Sequence, residues 1–178
     1  MEDDEIEEVK KYANDKAKMM EFVKKEGVAL EWASEELQND KELVLEAVKN
    51  DGGALEFASD NLKGDKDVLL EAVTIKGWVL CYASDELKDD KDVALKAAKS
   101  DGQILYYVSQ RLRDDKDVVT EAVSNKAIIL KYASHRLRAD KDVAIAALKQ
   151  NKKAFSYVAD EIKNDEDIQN IVNPPAES

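Results

Sequence analysis

Apolar residues along this chain fall into two kinds of cluster that alternate from one end to the other. In the first kind, typified by Val68, Leu69, Ala72 and Val73, they follow one face of a helical period and not the every-second-residue rule of a strand. In the second kind, Leu80, Ala83 and Leu87 recur at steps of three and four, which predicts a second amphipathic helix of about two to three turns. Both helices are too short to persist alone in water, so each depends on stacking against its neighbours.

The alternation has a fixed period. A D-K-D-V motif, or a near variant, begins at Asp15, Asp40, Asp65, Asp90, Asp115, Asp140 and Asp165, each 25 residues from the next. A constant spacing of this size is the signature of a stacked array. The units 15–39, 40–64, 65–89, 90–114, 115–139 and 140–164 share the pattern D-K-(D/E)-V-x-x-x-A-V-x-x-x-G-x-x-L-x-Y-A-S-x-x-L-K-N. The predicted fold is all-α: an α-solenoid of six 25-residue helix-hairpin repeats that closes on a half repeat, together occupying 15–172. Residues 1–14 place Ile6, Val9 and Ala13 at helical spacing behind a run of acids and predict an N-terminal capping helix. Residues 173–178, with Pro174 and Pro175, predict a flexible tail.

Local signals mark the ends of the first helix. Asn39, Asp89, Asp114 and Asn164 have the side chains of an N-cap, with an acid three residues later at Glu42, Asp92, Asp117 and Asp167. Gly27, Gly52, Gly77 and Gly102, at repeat position 13, predict a left-handed C-cap, although Ala127 and Lys152 depart from it. In the second half an aromatic ladder runs through Trp32, Phe57, Tyr82, Tyr107, Tyr132 and Tyr157, and packing is the expected use for it. The serine two residues on suits either a bond back to the preceding turn or the cap of a short final turn.

These units resemble the domain-of-unknown-function family numbered 4116, a family of tandem short repeats. The motifs that carry the resemblance are D-K-D-V-x-x-x-A-V and L-x-Y-A-S-x-x-L-K, with the best agreement at 65–88. It weakens in the first repeat, at Ala17 and Lys18, and in the last, at Phe155 and Ile162. The resemblance implies a helical array and brings no activity or catalytic residue with it.

Composition narrows the function classes. The net charge of -12 argues against general nucleic-acid binding, which needs clustered Lys and Arg. The charge is uneven, however: the first three repeats are net acidic and the next three net basic. No apolar run approaches the ~18 residues needed to cross a bilayer, and the lone Cys81 excludes an internal disulfide and a cysteine zinc site. A cytoplasmic protein without a membrane segment is expected. Catalysis and metal binding find little to work with. Cys81 and His135 are the only residues of their types and lie two repeats apart, and the acidic runs lack the turn glycine of a calcium loop. The expectation is a non-enzyme with no cofactor and no metal.

The positions that do not repeat carry the functional expectation. Repeat positions 14, 17 and 21 share one face of the second helix and vary most, as exposed faces of solenoids do. Trp78, Cys81, Tyr106, Ile128 and Lys131 occupy that face in three consecutive repeats and form the candidate partner-binding set for a protein scaffold. Arg111, Arg113, Arg136 and Arg138, with His135, form a candidate anion patch, the competing explanation being surface ion pairs. A further alternative is that the acidic N-terminal half mimics a nucleic acid and occupies a basic cleft on another protein.

Overall fold

The computed structural model describes residues 3–174, so Met1 and Glu2 and most of the expected tail, 175–178, lie outside the described residues. The fold is all-α, a helical repeat array of the solenoid class, and among the described residues every regular element is helical. The chain divides into two compact units, Met1–Leu87 and Lys88–Ser178. In the first, helix α1 (Asp3–Lys11) buries Val9 and packs on the second half of the first repeat, the position expected of a cap. The second ends on the helix Glu166–Val172, which is the half repeat.

Each repeat opens on a ten-residue α-helix, such as Lys41–Asn50 in the first unit and Lys116–Asn125 in the second. In the second to sixth repeats positions 4, 5, 8 and 9, among them Leu43, Val44, Ala47 and Val48, are buried, as their spacing predicts; in the first repeat only Met19 and Val23 are. The cap of this helix is the motif's own first aspartate, one residue later than expected. Asp40 accepts a hydrogen bond from Leu43 N–H at 3.0 Å, and Asp115 accepts from Asp117 and Val118 at 3.0 and 3.1 Å. Asn39, Asp89 and Asp114, expected as caps, instead accept a hydrogen bond from the serine hydroxyl of the following repeat: Ser59, Ser109 and Ser134.

The second half is helical but is not one helix. It is a 3-10 segment, for example Gly52–Phe57, then two extended residues, then a four-residue turn, Asp60–Lys63. The serine settles as the cap of that last turn: Ser59 Oγ accepts from Leu62 N–H at 3.3 Å and Ser134 Oγ from Leu137 N–H at 3.2 Å. The break also frees the serine's own N–H. It donates to a carbonyl of the preceding repeat, Ser59 to Gln38 at 3.0 Å and Ser134 to Arg113 at 2.9 Å. One continuous helix would have consumed that donor internally.

Position 13 also departs from expectation. No described glycine has a positive φ, so none is a left-handed cap. The glycines are needed for close approach. A Cβ on Gly27 would lie 2.3 Å from the carbonyl oxygen of Ala47 in the next repeat, on Gly52 2.6 Å from that of Ala72, and on Gly102 2.5 Å from that of Ala122. The amide side chain at position 11 fastens the same seam. Asn50 accepts from Gly27 N–H at 2.8 Å and donates to Lys24 O at 2.9 Å; Gln150 accepts from Ala127 N–H and donates to Asn125 O.

The charged residues of the motif link repeats as well. Lys16 Nζ lies 2.8 Å from both Asp40 and Glu42, and Lys41 is 2.8 and 3.1 Å from Asp65 and Asp67. In the second unit Lys91 reaches Asp115 and Asp117, Lys116 reaches Asp140 and Asp142, and Lys141 reaches Asp165 and Asp167, all at 2.6–3.0 Å. The motif therefore passes its lysine forward and receives a lysine on its two acids. Where the pattern departs, it departs sensibly: Ala17 replaces the third-position acid of the first repeat, and Glu166 replaces the lysine of the half repeat.

Candidate functional site

Positions 14 and 17 of the variable face are carried by the 3-10 segments and position 21 by the short turn that follows, and the two units dress them differently. In the first, Glu31, Glu35, Glu56 and Asp60 are exposed. Trp78 and Cys81 also belong to that unit, and both are half-buried. The Trp78 indole packs edge-on against Tyr82 of its own repeat, with ring centroids 5.9 Å apart.

In the second unit the expected anchors come together. Tyr106, on the 3-10 segment Gly102–Tyr106, is 58% exposed, and Ile128, on the next segment Ala127–Tyr132, is 38% exposed. The Tyr106 ring stands nearly perpendicular to both Tyr107 and Tyr132, each 5.3 Å away. Lys131 extends over the Tyr132 ring, its Nζ 4.7 Å from the centroid. Together with Gln103, Lys126 and Ile129 these residues line a cleft of about 290 Å³. Tyr132 and Lys126 were not among the expected site residues. Tyr132 belongs to a ladder whose regularity points to packing, and Lys126 sits at position 12, outside the face defined by positions 14, 17 and 21.

Electrostatics single the cleft out. No carboxylate lines it, and among the described residues neither Lys126 nor Lys131 has an acid within ion-pair distance. The contrast with position 12 in the first unit is direct: Lys76 there is paired with Asp51 at 2.6 Å. Two unpaired ammonium groups beside an exposed tyrosine and isoleucine thus face solvent in a strongly acidic chain.

Three of the four arginines are bonded within their own unit. Arg111 Nε lies 3.0 Å from both carboxylate oxygens of Asp89, and its Nη2 donates to the Asp89 carbonyl. Arg136 repeats this on Asp114, at 3.0 and 3.3 Å to the carboxylate and 2.6 Å to the carbonyl. The Ser109 hydroxyl and the Arg111 fork hold the Asp89 carboxyl below the usual carboxylate range, and Ser134 and Arg136 do the same for Asp114. Arg113 donates to the Val108 and Tyr106 carbonyls at 3.2 and 3.0 Å, satisfying the end of the 3-10 segment that carries Tyr106. His135 pairs with Glu161 at 3.3 Å on the surface, and Arg138 buries Nε without a hydrogen-bond partner among the described residues. The surface ion-pair alternative thus describes Arg111 and Arg136.

Among the described residues, no group of three or more His, Cys, Asp or Glu side chains has the arrangement to hold a metal ion, and no helix is long and apolar enough to cross a membrane. No curated protein and no solved structure matches the chain. One family model does, that of the Domain of unknown function (DUF4116), in three successive matches over residues 15–63, 65–113 and 115–163. Each match spans two of the 25-residue repeats, and together they take in nearly all of the array, so the chain belongs to the DUF4116 family.

Proposed function

We propose that this protein is a non-enzymatic, cytoplasmic interaction scaffold that docks a protein partner on the variable face of its second unit, centred on Tyr106, Ile128 and Lys131. The observation that carries this is the exposure of Tyr106, at position 17 of one repeat, and Ile128, at position 14 of the next, on one cleft; among the described residues the other exposed large apolar side chains, Tyr12 and Ile75, lie apart from it. Exposed aromatic and aliphatic anchors on a rigid backbone are the usual energetic centre of a protein interface. Rigidity is supplied by Arg113 beneath Tyr106 and by the seam below Ala127. A single cysteine gives the sequence no second thiol for an internal disulfide, which suits a reducing compartment.

A photo-crosslinking residue at position 106 tests the proposal, with one at the exposed position Lys49 as the control. Crosslinks to a protein partner at position 106 and not at Lys49, lost when Ile128→Ser is added, are expected. Equal recovery at the two positions would remove the assignment. A nucleic-acid mimic has its own support in the first unit, where Glu31, Glu35, Glu56 and Asp60 are exposed. It requires a complex that weakens steeply with salt and survives Tyr106→Ala.

A further inference from the structure

We infer that the cleft between Tyr106 and Ile128 takes an acidic peptide segment carrying an aromatic or branched aliphatic side chain. This rests on the docking face proposed above and names the chemistry of its partner. The apolar half of the inference comes from geometry. Tyr106, Tyr107 and Tyr132 meet edge to face and form a concave wall, and Ile128 stands exposed beside it, so the floor fits one bulky side chain.

The charged half comes from what is missing beside that wall. The motif lysines bridge two acids each, and Lys76 at position 12 is paired with Asp51, while lysines such as Lys49 and Lys99 stand unpaired among the described residues on the outer surface, away from any aromatic cleft. At the cleft the same position 12 carries Lys126, which makes no ion pair with Asp101, the acid in the register of Asp51, and position 17, which is Glu31 and Glu56 in the first unit, carries Lys131. Lys131 is held over the Tyr132 ring, which orders its stem while leaving the ammonium at the rim. A cleft lined by two lysines that make no ion pair among the described residues and by no carboxylate selects for acids flanking the inserted side chain, and like-charge repulsion disfavours basic segments. Nucleic acid fits less well. The cleft offers two lysines, and Arg111 and Arg136 in the same repeats are already paired with Asp89 and Asp114, whereas a phosphate backbone needs an extended basic track.

The test uses the full chain and fluorescence anisotropy with three labelled probes: the peptide Glu-Asp-Phe-Glu-Asp-Leu-Glu, its amide counterpart Gln-Asn-Phe-Gln-Asn-Leu-Gln, and a short oligothymidylate. Binding of the acidic peptide is expected, weakened about tenfold by Tyr106→Ala and about threefold by each of Lys126→Gln and Lys131→Gln, with a shallower salt dependence in the lysine variants. All three side chains are on the surface, and circular dichroism confirms that the variants fold. If the amide peptide binds as tightly, still dependent on Tyr106, the charge selection is overturned and the docking face survives. Tighter binding of the oligothymidylate overturns the peptide assignment. If no peptide binds while the position 106 crosslinks persist, the chemistry named here is wrong and the docking proposal stands; if both fail, both fall.

Discussion

At the scale of single residues, the glycines separate two roles that look alike in sequence. Gly52 and Gly102 sit where a Cβ would press on a carbonyl of the next repeat, whereas Gly64 has its nearest neighbour at 3.5 Å with an ordinary right-handed backbone. Gly52→Ala and Gly102→Ala are therefore expected to cost about 1–3 kcal/mol in urea unfolding, as overpacked sites do. Gly64→Ala is expected to be neutral or stabilising by up to about 1 kcal/mol, by restricting the unfolded chain. Asn50→Ala removes an acceptor for Gly27 N–H and a donor to Lys24 O, and about 1–2 kcal/mol of destabilisation is expected in the same measurement. The recurrence of glycine at position 13 was legible in the sequence, but its reason was not. A left-handed cap and a tight seam both demand glycine, and only the facing carbonyl, 20 residues further on in the chain, distinguishes them.

At the scale of elements, the leading helix could be read almost completely, since its four buried positions per repeat are fixed by a simple period. The second half could not. Leu80, Ala83 and Leu87 keep helical spacing across a break, because the 3-10 segment and the final turn both turn the same face inward. What betrays the break is the serine, whose hydroxyl caps the last turn and whose N–H is spent on the preceding repeat. Ser134→Ala keeps the backbone bond but removes the cap and the donor to Asp114, and is expected to cost about 1 kcal/mol. Ala159, which naturally lacks that hydroxyl, still makes the backbone bond to Arg138 at 3.0 Å. Of the site, Tyr106, Ile128 and Lys131 were recognisable because they vary where the repeat is otherwise uniform. Tyr132 and Lys126 were hidden by the opposite property, one by belonging to a regular ladder and the other by lying outside the chosen face.

At the scale of the molecule, the bridging lysines make stability depend on pH at both extremes. At Asp40, Asp65, Asp115 and Asp140 burial works to raise the carboxyl pKa, but the lysine of the preceding repeat and the capped N–H groups outweigh it, and the net shift is downward. Lys16, Lys41, Lys91, Lys116 and Lys141 are raised, chiefly by hydrogen bonds to their acids. Depressed carboxylates contribute fully above their unfolded value near ~3.9 and lose that contribution as pH falls through the lower folded values. Raised lysines contribute fully below ~10.4 and lose it as pH climbs past the folded values. Thermal midpoints are therefore expected to be level across neutral pH and to fall on both flanks. Lys41→Met should lower the neutral plateau only slightly, each exposed pair being worth about 1 kcal/mol or less.

The forward-passing lysine also gives the array a grammar. From the second repeat to the sixth each presents the same plug at its leading helix and the same socket on its two acids, so the joint does not depend on which two of them meet. Excision of residues 115–139 would bring Lys91 to Asp140 and Asp142 in place of Asp115 and Asp117, and Gly102 to the carbonyl of Ala147 in place of that of Ala122. The shortened chain is expected to fold cooperatively, with a smaller denaturant slope in proportion to the surface removed. A gene built this way can lose or gain whole repeats by unequal recombination without inventing a new contact, which leaves the exposed face of each repeat free to diverge.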